Sequence, residues 1–218
     1  MLNEVEVRVL GSLIEKQVTT PEYYPLTLNA LTPACNQKNN REPVVSFDEA
    51  TVSHALETLR AKNLVYVFYG SGSRVPKYKH MTRDVYELDE REQAVIDVLM
   101  LRGQQTTREL RERANRLYEF SGAGEVEETL NSLMTKEPDA LVIKLPRQSG
   151  QKDARYAHLL SGEVIVEPTA ETDSPKLTGS GAPSQSERIT KLEGEVEMLD
   201  RELKDLRRQF DDFKSQFG

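Results

Sequence analysis

Residues 27–80, TLNALTPACNQKNNREPVVSFDEATVSHALETLRAKNLVYVFYGSGSRVPKYKH, decide how this chain is read. Thr27 is suited to cap a short helix running to about Cys35, with Leu26 and Leu31 placed around it as a hydrophobic staple. The segment NQKNNREP then sets Lys38 and Arg41 among small amides. Ser46-Phe47-Asp48-Glu49 has the spacing of a capping box, so a longer helix is expected to open there, buried through Val52, Ala55, Leu56 and Leu59. After Asn63, LVYVFY is β-branched and aromatic, GSGSR is a flexible tip, and VPKYKH returns as a strand. Two helices across a polar turn, followed by a β-hairpin, is the order of a winged helix-turn-helix.

Upstream, Leu2, Val5, Val9, Leu10, Leu13 and Ile14 share one helical stripe, so residues 2–17 form a core-facing first helix. TTPEYYP breaks it. Downstream the programme restarts at Asp89, with Glu92 as its box partner. AVIDVLML is apolar nearly all round, which predicts a well-buried helix. A second helix follows from Thr106, with Leu110, Ala114 and Leu117 inward. A third spans Gly122 to about Lys136, buried through Val126, Leu130, Leu133 and Met134. LVIKLP and RYAHLL then flank RQSGQKDA as a second hairpin. Val52, Leu56 and Leu59 match Val126, Leu130 and Leu133 closely, whereas Thr27, Leu31, Ala34 and Asn36 match Thr106, Leu110, Ala114 and Asn115 only loosely. The chain thus reads as a duplicated unit of ~75–85 residues, each the size of a small domain. The expected fold class is α+β, mainly helical, with winged-helix domains at residues 1–87 and 88–162.

Residues 163–186, rich in Pro, Ser, Thr and Gly, are expected to form a disordered linker. In residues 187–218, Ile189, Leu192, Val196, Leu199, Leu203, Leu206, Phe210 and Phe213 recur in alternating steps of three and four. That is the a/d seam of a coiled coil, which predicts a homo-oligomer, most simply a dimer. In a parallel pair Glu202 would meet Arg207 favourably but Glu195 would meet Asp200, so orientation stays open. A lone helix folded back on the body is the alternative.

The totals bound the chemistry. Net charge is −7 over 218 residues, but residues 1–87 are neutral and most of the excess acid lies beyond residue 160. Cys35 is the one cysteine, and with His54, His80 and His158 it makes no metal-ligand spacing, so neither a metal nor a cofactor is expected. Neither a membrane-length apolar run nor a leader is read in the sequence, giving a cytoplasmic expectation. Cys35 has no necessary His partner, and the histidines have no carboxylate at a defining spacing. GSGSR lacks the Gly-Lys-Ser/Thr ending of a phosphate loop. No catalytic residue emerges.

What remains is nucleic acid. The open face of the Ser46–Lys62 helix would carry Ala50, His54, Glu57 and Ala61, with no central Arg or Lys. Cations frame it instead: Lys38 and Arg41 before the helix, Arg60 and Lys62 at its end, Arg74, Lys77 and Lys79 on the hairpin, with Tyr69 and Tyr78 interleaved. Duplex DNA held by its phosphates is the partner this suggests, through Lys38, Arg41, His54, Arg74, Lys77 and Lys79. Cations near helix C-termini also suit the dipole, which is the plainer explanation. In the second unit, Gly124, Glu128 and Asn131 with Glu125 and Glu127 make an acidic face that would repel a phosphate backbone. Arg113 and Arg116 are expected to pair with Glu109 and Glu112, leaving Arg147, Lys152 and Arg155 on the hairpin. This unit is expected to pack on the first or to dock a protein. The alternative for the whole chain is a protein–protein adaptor.

Three stretches, VRVLGSLIEKQVTTPEYYPLTLNALTPACNQKNNREPV, GSRVPKYKH and LPRQSGQKDARYAHLLSG, resemble the bacterial YceH-type family over roughly residues 3–162. The resemblance implies a tandem winged-helix fold in a family without an established activity. It brings no catalytic residue, cofactor or ligand.

Overall fold

The computed structural model describes residues 1–69, 75–147, 150–162 and 164. The expected linker and coiled-coil seam, Ile189 to Phe213, lie outside the described residues. The fold is mixed α/β. Helices α1 (Glu4–Thr19), α2 (Leu28–Cys35) and α3 (Glu49–Ala61) precede a three-stranded antiparallel sheet of order β1-β3-β2, with β1 Leu26–Thr27, β2 Val65–Tyr69 and β3 Pro76–His80. A short helix α4 (Thr82–Val85) leads to α5 (Glu90–Arg102), β4 (Gln105–Thr106), α6 (Thr107–Ala114) and α7 (Ala123–Met134). A second antiparallel sheet, β4-β6-β5, follows with β5 Val142–Lys144 and β6 Arg155–His158.

The repeat extends to single hydrogen bonds. Thr27 and Thr106 each end a two-residue strand and cap the next helix, accepting from Ala30 N–H and Glu109 N–H. Leu26 and Thr27 lie opposite Tyr78 and Lys77, as Gln105 and Thr106 lie opposite Tyr156 and Arg155. Helices of equal length from these caps place Cys35, not Ala34, in register with Ala114. The first helix of each unit opens with a reciprocal capping box, Asn3 with Glu6 and Asp89 with Glu92. Each box glutamate also accepts from a lysine past the third helix: Lys62 Nζ at 2.7 Å from Glu6, Lys136 Nζ at 2.7 Å from Glu92. Those lysines further bond Met1 C=O (2.9 Å) and Glu87 C=O (2.8 Å), so the same clasp closes each unit.

The start of α3 differs from expectation. Its N-cap is Asp48, whose carboxylate accepts from Thr51 N–H at 2.8 Å, and Ser46 lies outside the helix. Phe47 is held instead by Asn36, whose side-chain oxygen accepts Phe47 N–H (2.8 Å) while its amide donates to Phe47 C=O (2.7 Å). The helix ends on Asn63 at φ 59°, the left-handed conformation that asparagine tolerates best after glycine. Asn63 N–H and Leu64 N–H then bond back to Arg60 and Leu59 carbonyls at 3.0 and 2.9 Å.

Both first helices are buried on all sides, α1 from Glu6 to Glu15 and α5 from Glu92 to Leu101. They pack on each other, so one core runs through both units. Gly11 permits the approach: a Cβ there would stand 2.9 Å from Leu101 Cδ2. For α5 this matches the sequence reading. For α1 the single apolar stripe understated the burial, because Glu6, Arg8, Ser12 and Glu15 are buried as well.

These polar residues are mostly partnered. Arg8 donates to Cys35 C=O (3.2 Å) and Pro43 C=O (2.6 Å). Glu15 accepts a bidentate pair from Arg41, at 2.9 and 2.5 Å, and a further bond from Arg116 of the second unit. Burial opposes ionisation of Glu15, yet Arg41, Arg116 and Lys16 hold its carboxyl below the usual range. Arg116 therefore does not pair with Glu112 as expected; Glu112 takes Arg108 at 3.0 Å. Asp97 on α5 is fully buried, neither carboxylate oxygen has a partner among the described residues, and burial with Glu15 nearby pushes its acid well above the usual range.

Arg41→Ala removes the bidentate partner of the buried Glu15 carboxylate, leaving it Arg116 and the more distant Lys16 at 3.7 Å, and should cost about 3–5 kcal/mol in unfolding free energy. A urea titration of the two proteins checks this; a change below about 1 kcal/mol, the size of an exposed pair, would show the pair to be dispensable.

Candidate nucleic-acid interface

The open face of α3 is exposed as expected at Ala50, His54, Glu57 and Ala61, and Arg60 is exposed beside it. Asn29 of α2 reaches Glu49 at its first turn (3.4 Å), setting the two helices beside each other. Lys38 is exposed in the turn between them. Of the other expected contacts, Lys77 is half-buried and Lys79 exposed on β3.

Arg41 is a correction. It is 6 % exposed, with its guanidinium on Glu15 and on the Ala34 and Asn40 carbonyls, so it cannot reach a ligand at the surface. No local pattern signals this, because its partner Glu15 lies 26 positions away, on a helix whose apolar stripe implies one buried side. Lys62 is likewise engaged, by Glu6. Arg74 lies outside the described residues. Lys38, His54, Lys77 and Lys79 remain on the surface, joined by Arg60.

The hairpin register sorts its residues by face. Val65, Val67 and Tyr69 lie opposite His80, Tyr78 and Pro76, while Tyr66 and Phe68 lie opposite Lys79 and Lys77. Directly opposed residues share a face, so two aromatics and two lysines share the side away from the core residues Val65 and His80. Tyr66 and Phe68 were missed as surface groups, although the period of two in VYVFY carries the signal. Between the end of α3 and the hairpin lies an open cleft of about 520 Å³ lined by Glu57, Arg60, Val67 and Tyr69 among others. Burial raises the Tyr78 phenol, against the pull of Arg60.

His80 anchors this hairpin. The residue is 3 % exposed; its ring bridges Gln17 Oε1 (2.6 Å) and Thr82 Oγ (2.8 Å), while its backbone N–H donates to the Tyr24 hydroxyl (2.7 Å). Gln17 accepts from Nε2–H, and in the neutral ring that burial favours Nδ1 accepts from the Thr82 hydroxyl. Burial, with Lys79 and Arg83 nearby, pushes its pKa down to about 4. Cys35 is buried, and that burial pushes its thiol up to about 11, away from nucleophilic reactivity.

In the second unit several arginines are taken, while Arg111 and Lys144 are exposed. Arg108 pairs with Glu112, and Arg113 and Arg155 both pair with Glu109, at 3.6 and 3.1 Å. Arg155 also donates to Gln104 C=O. Arg147 and Lys152 are exposed. On α7, Gly124, Glu127, Glu128 and Asn131 are exposed, while Glu125 accepts from Tyr118 and Ser121. Among the described residues, no cluster of three or more His, Cys, Asp or Glu could hold a metal, and no helix is long and apolar enough to cross a membrane.

Residues 2–151 match a family model described as "Protein of unknown function, DUF480". Among curated proteins, the chain is 50 % identical to a UPF0502 protein of Geotalea uraniireducens, over 99 % of this chain and 98 % of the relative. It is 55 % identical to one of Opitutus terrae (76 % and 72 %) and 44 % identical to one of Vibrio atlanticus (95 % and 95 %). These matches agree with the resemblance read from the sequence, to a bacterial family without an established activity.

His80 gives a pH test. Its folded pKa lies below the unfolded 6.5, so its stabilisation is complete above 6.5 and is lost as pH falls toward about 4. Between pH 7 and 5 it should remove about 2 kcal/mol. Urea midpoints at the two pH values check this: His80→Gln should show a smaller drop than the parent, and an equal drop would assign the loss to other groups.

Proposed function

The chain belongs to the DUF480 family of proteins of unknown function, and from its geometry we propose a non-enzymatic tandem winged-helix protein that holds duplex DNA by its phosphates. In this reading α2 and α3 form the helix-turn-helix of the first unit, and β2–β3 is its wing. The carrying observation is an asymmetry of charge. Among the described residues, Lys38, Arg60, Lys77 and Lys79 around α3 are in no ion pair, whereas the matching open face of α7 exposes Glu127 and Glu128, and Arg155 on its hairpin is neutralised by Glu109. Unpaired cations are what release counterions on meeting a phosphate backbone. Glu57 and His54 at the centre of α3 offer little bidentate base recognition. The proposal is therefore a backbone grip with weak sequence preference.

A second reading rests on α7, whose exposed acids suit a basic protein partner rather than a duplex. For residues 187–218, the a/d seam supports self-association through Ile189, Leu192, Val196, Leu199, Leu203, Leu206, Phe210 and Phe213.

Fluorescence anisotropy on a duplex of arbitrary sequence tests the grip. A clamp on ~4–6 phosphates should lose affinity with a log–log salt slope of about −4 to −5. Lys38→Ala with Arg60→Ala should weaken binding at least tenfold; no binding at low salt, or none lost in that variant, would overturn the proposal. Light scattering of the full chain beside a truncation ending at residue 162 tests the seam, since equal monomer masses would refute it.

A further inference from the structure

We infer that the outward face of the first sheet binds single-stranded nucleic acid through Tyr66 and Phe68, rings that the proposed duplex grip does not use, while sharing Lys77 and Lys79 with that grip. Tyr66 and Phe68 are 60 % and 46 % exposed. They are two residues apart on β2, so their Cα atoms stand about 6.7 Å apart on one face. That is close to the span of one nucleotide in an extended strand. Lys79 lies opposite Tyr66 and Lys77 opposite Phe68. The face is thus two rings in a row with an ammonium beside each, and no strand residue of this sheet is acidic.

Two large rings left in water add nothing to the core, which the sheet reaches from its other face through Leu26, Val65 and His80. Each ring offers a flat surface to a base, and each lysine a contact to the phosphate between bases. A duplex cannot use the rings, because its bases are already stacked on one another. An acidic peptide could use the lysines but would gain little from two exposed rings on an open face.

The second unit supplies an internal contrast. Val142 lies opposite His158 as Val65 lies opposite His80, which aligns the hairpins residue by residue. The core-facing Tyr78 is repeated as Tyr156. The outward residues are not: Tyr66, Phe68, Lys77 and Lys79 correspond to Ile143, Leu145, Arg155 and Ala157. Leu145 is buried and Arg155 is paired with Glu109. The platform is therefore a feature of the first sheet and not a by-product of the fold.

The test uses the full chain with fluorescein-labelled dT10 and U10, read by anisotropy. Both should bind, with a log–log salt slope of about −1.4 for two phosphate contacts on a single strand, far shallower than the duplex slope. Tyr66→Thr with Phe68→Thr keeps β-branched residues in the strand, and should weaken both oligomers about 30-fold or more while leaving duplex affinity unchanged. Thermal unfolding of that variant at the parent temperature shows the sheet intact; if it unfolds, Tyr66→Leu with Phe68→Leu takes its place and should show the same loss. Lys38→Ala with Arg60→Ala should leave the single strands bound, so the duplex grip can fail without touching this inference. Absence of oligomer binding at low salt, binding that survives loss of both rings, or equal binding of a poly-glutamate decamer overturns it.

Discussion

A single carboxylate, Glu15, holds the geometry together. It accepts from Arg41, which fastens the turn before α3, and from Arg116, which belongs to the other unit. Buried pairs of this kind add little net stability over an apolar filling, since desolvation offsets much of the attraction. Their contribution is arrangement, because an unpaired charge in this position would be costly. The same site explains Asp97. A fully buried carboxyl beside Glu15, in a space where the guanidinium groups are already engaged, is more stable protonated.

Around that joint the two units are built alike and finished differently. The threonine caps, the box glutamates with their lysines, and the core-facing strand residues recur. The surfaces do not. In the first unit several cations stand clear of carboxylates. In the second, Glu109 alone neutralises two arginines, and the third helix turns acid outward. The duplication therefore copied a scaffold while the surface charge of each copy took its own course.

Much of the scaffold could be read from local pattern. The caps at Thr27, Asp89 and Thr106 and the stripes of α3 and α7 are short-range signals, set within a turn of helix or a pair of strands. The cap of α3 was misplaced because Ser46 and Asp48 both precede the helix, and only the tie between Asn36 and Phe47 excludes the serine. Arg41 was misread for a deeper reason. A basic residue in a polar turn looks solvated unless its partner is known, and that partner sits 26 positions away. The pairing of Arg116 crosses 101 positions, beyond any periodicity. Tyr66 and Phe68 were visible as strand residues, but which side of the sheet they occupy follows from the register.

The turn between α2 and α3 has a foothold outside its own unit. Glu42 N–H donates to the Leu101 carbonyl at 2.8 Å, filling an acceptor that the end of α5 would otherwise leave open. Asn40 next to it receives Arg102. The turn is thus a strut braced on the neighbouring helix, and the angle at which α3 stands is dictated partly from across the joint. Its mechanical meaning is that the open faces of α3 and α7 are carried on one frame at a fixed spacing. Any single partner that engages both must fit that spacing as a key fits a pair of wards, and one that fits gains from the second contact without a further loss of freedom.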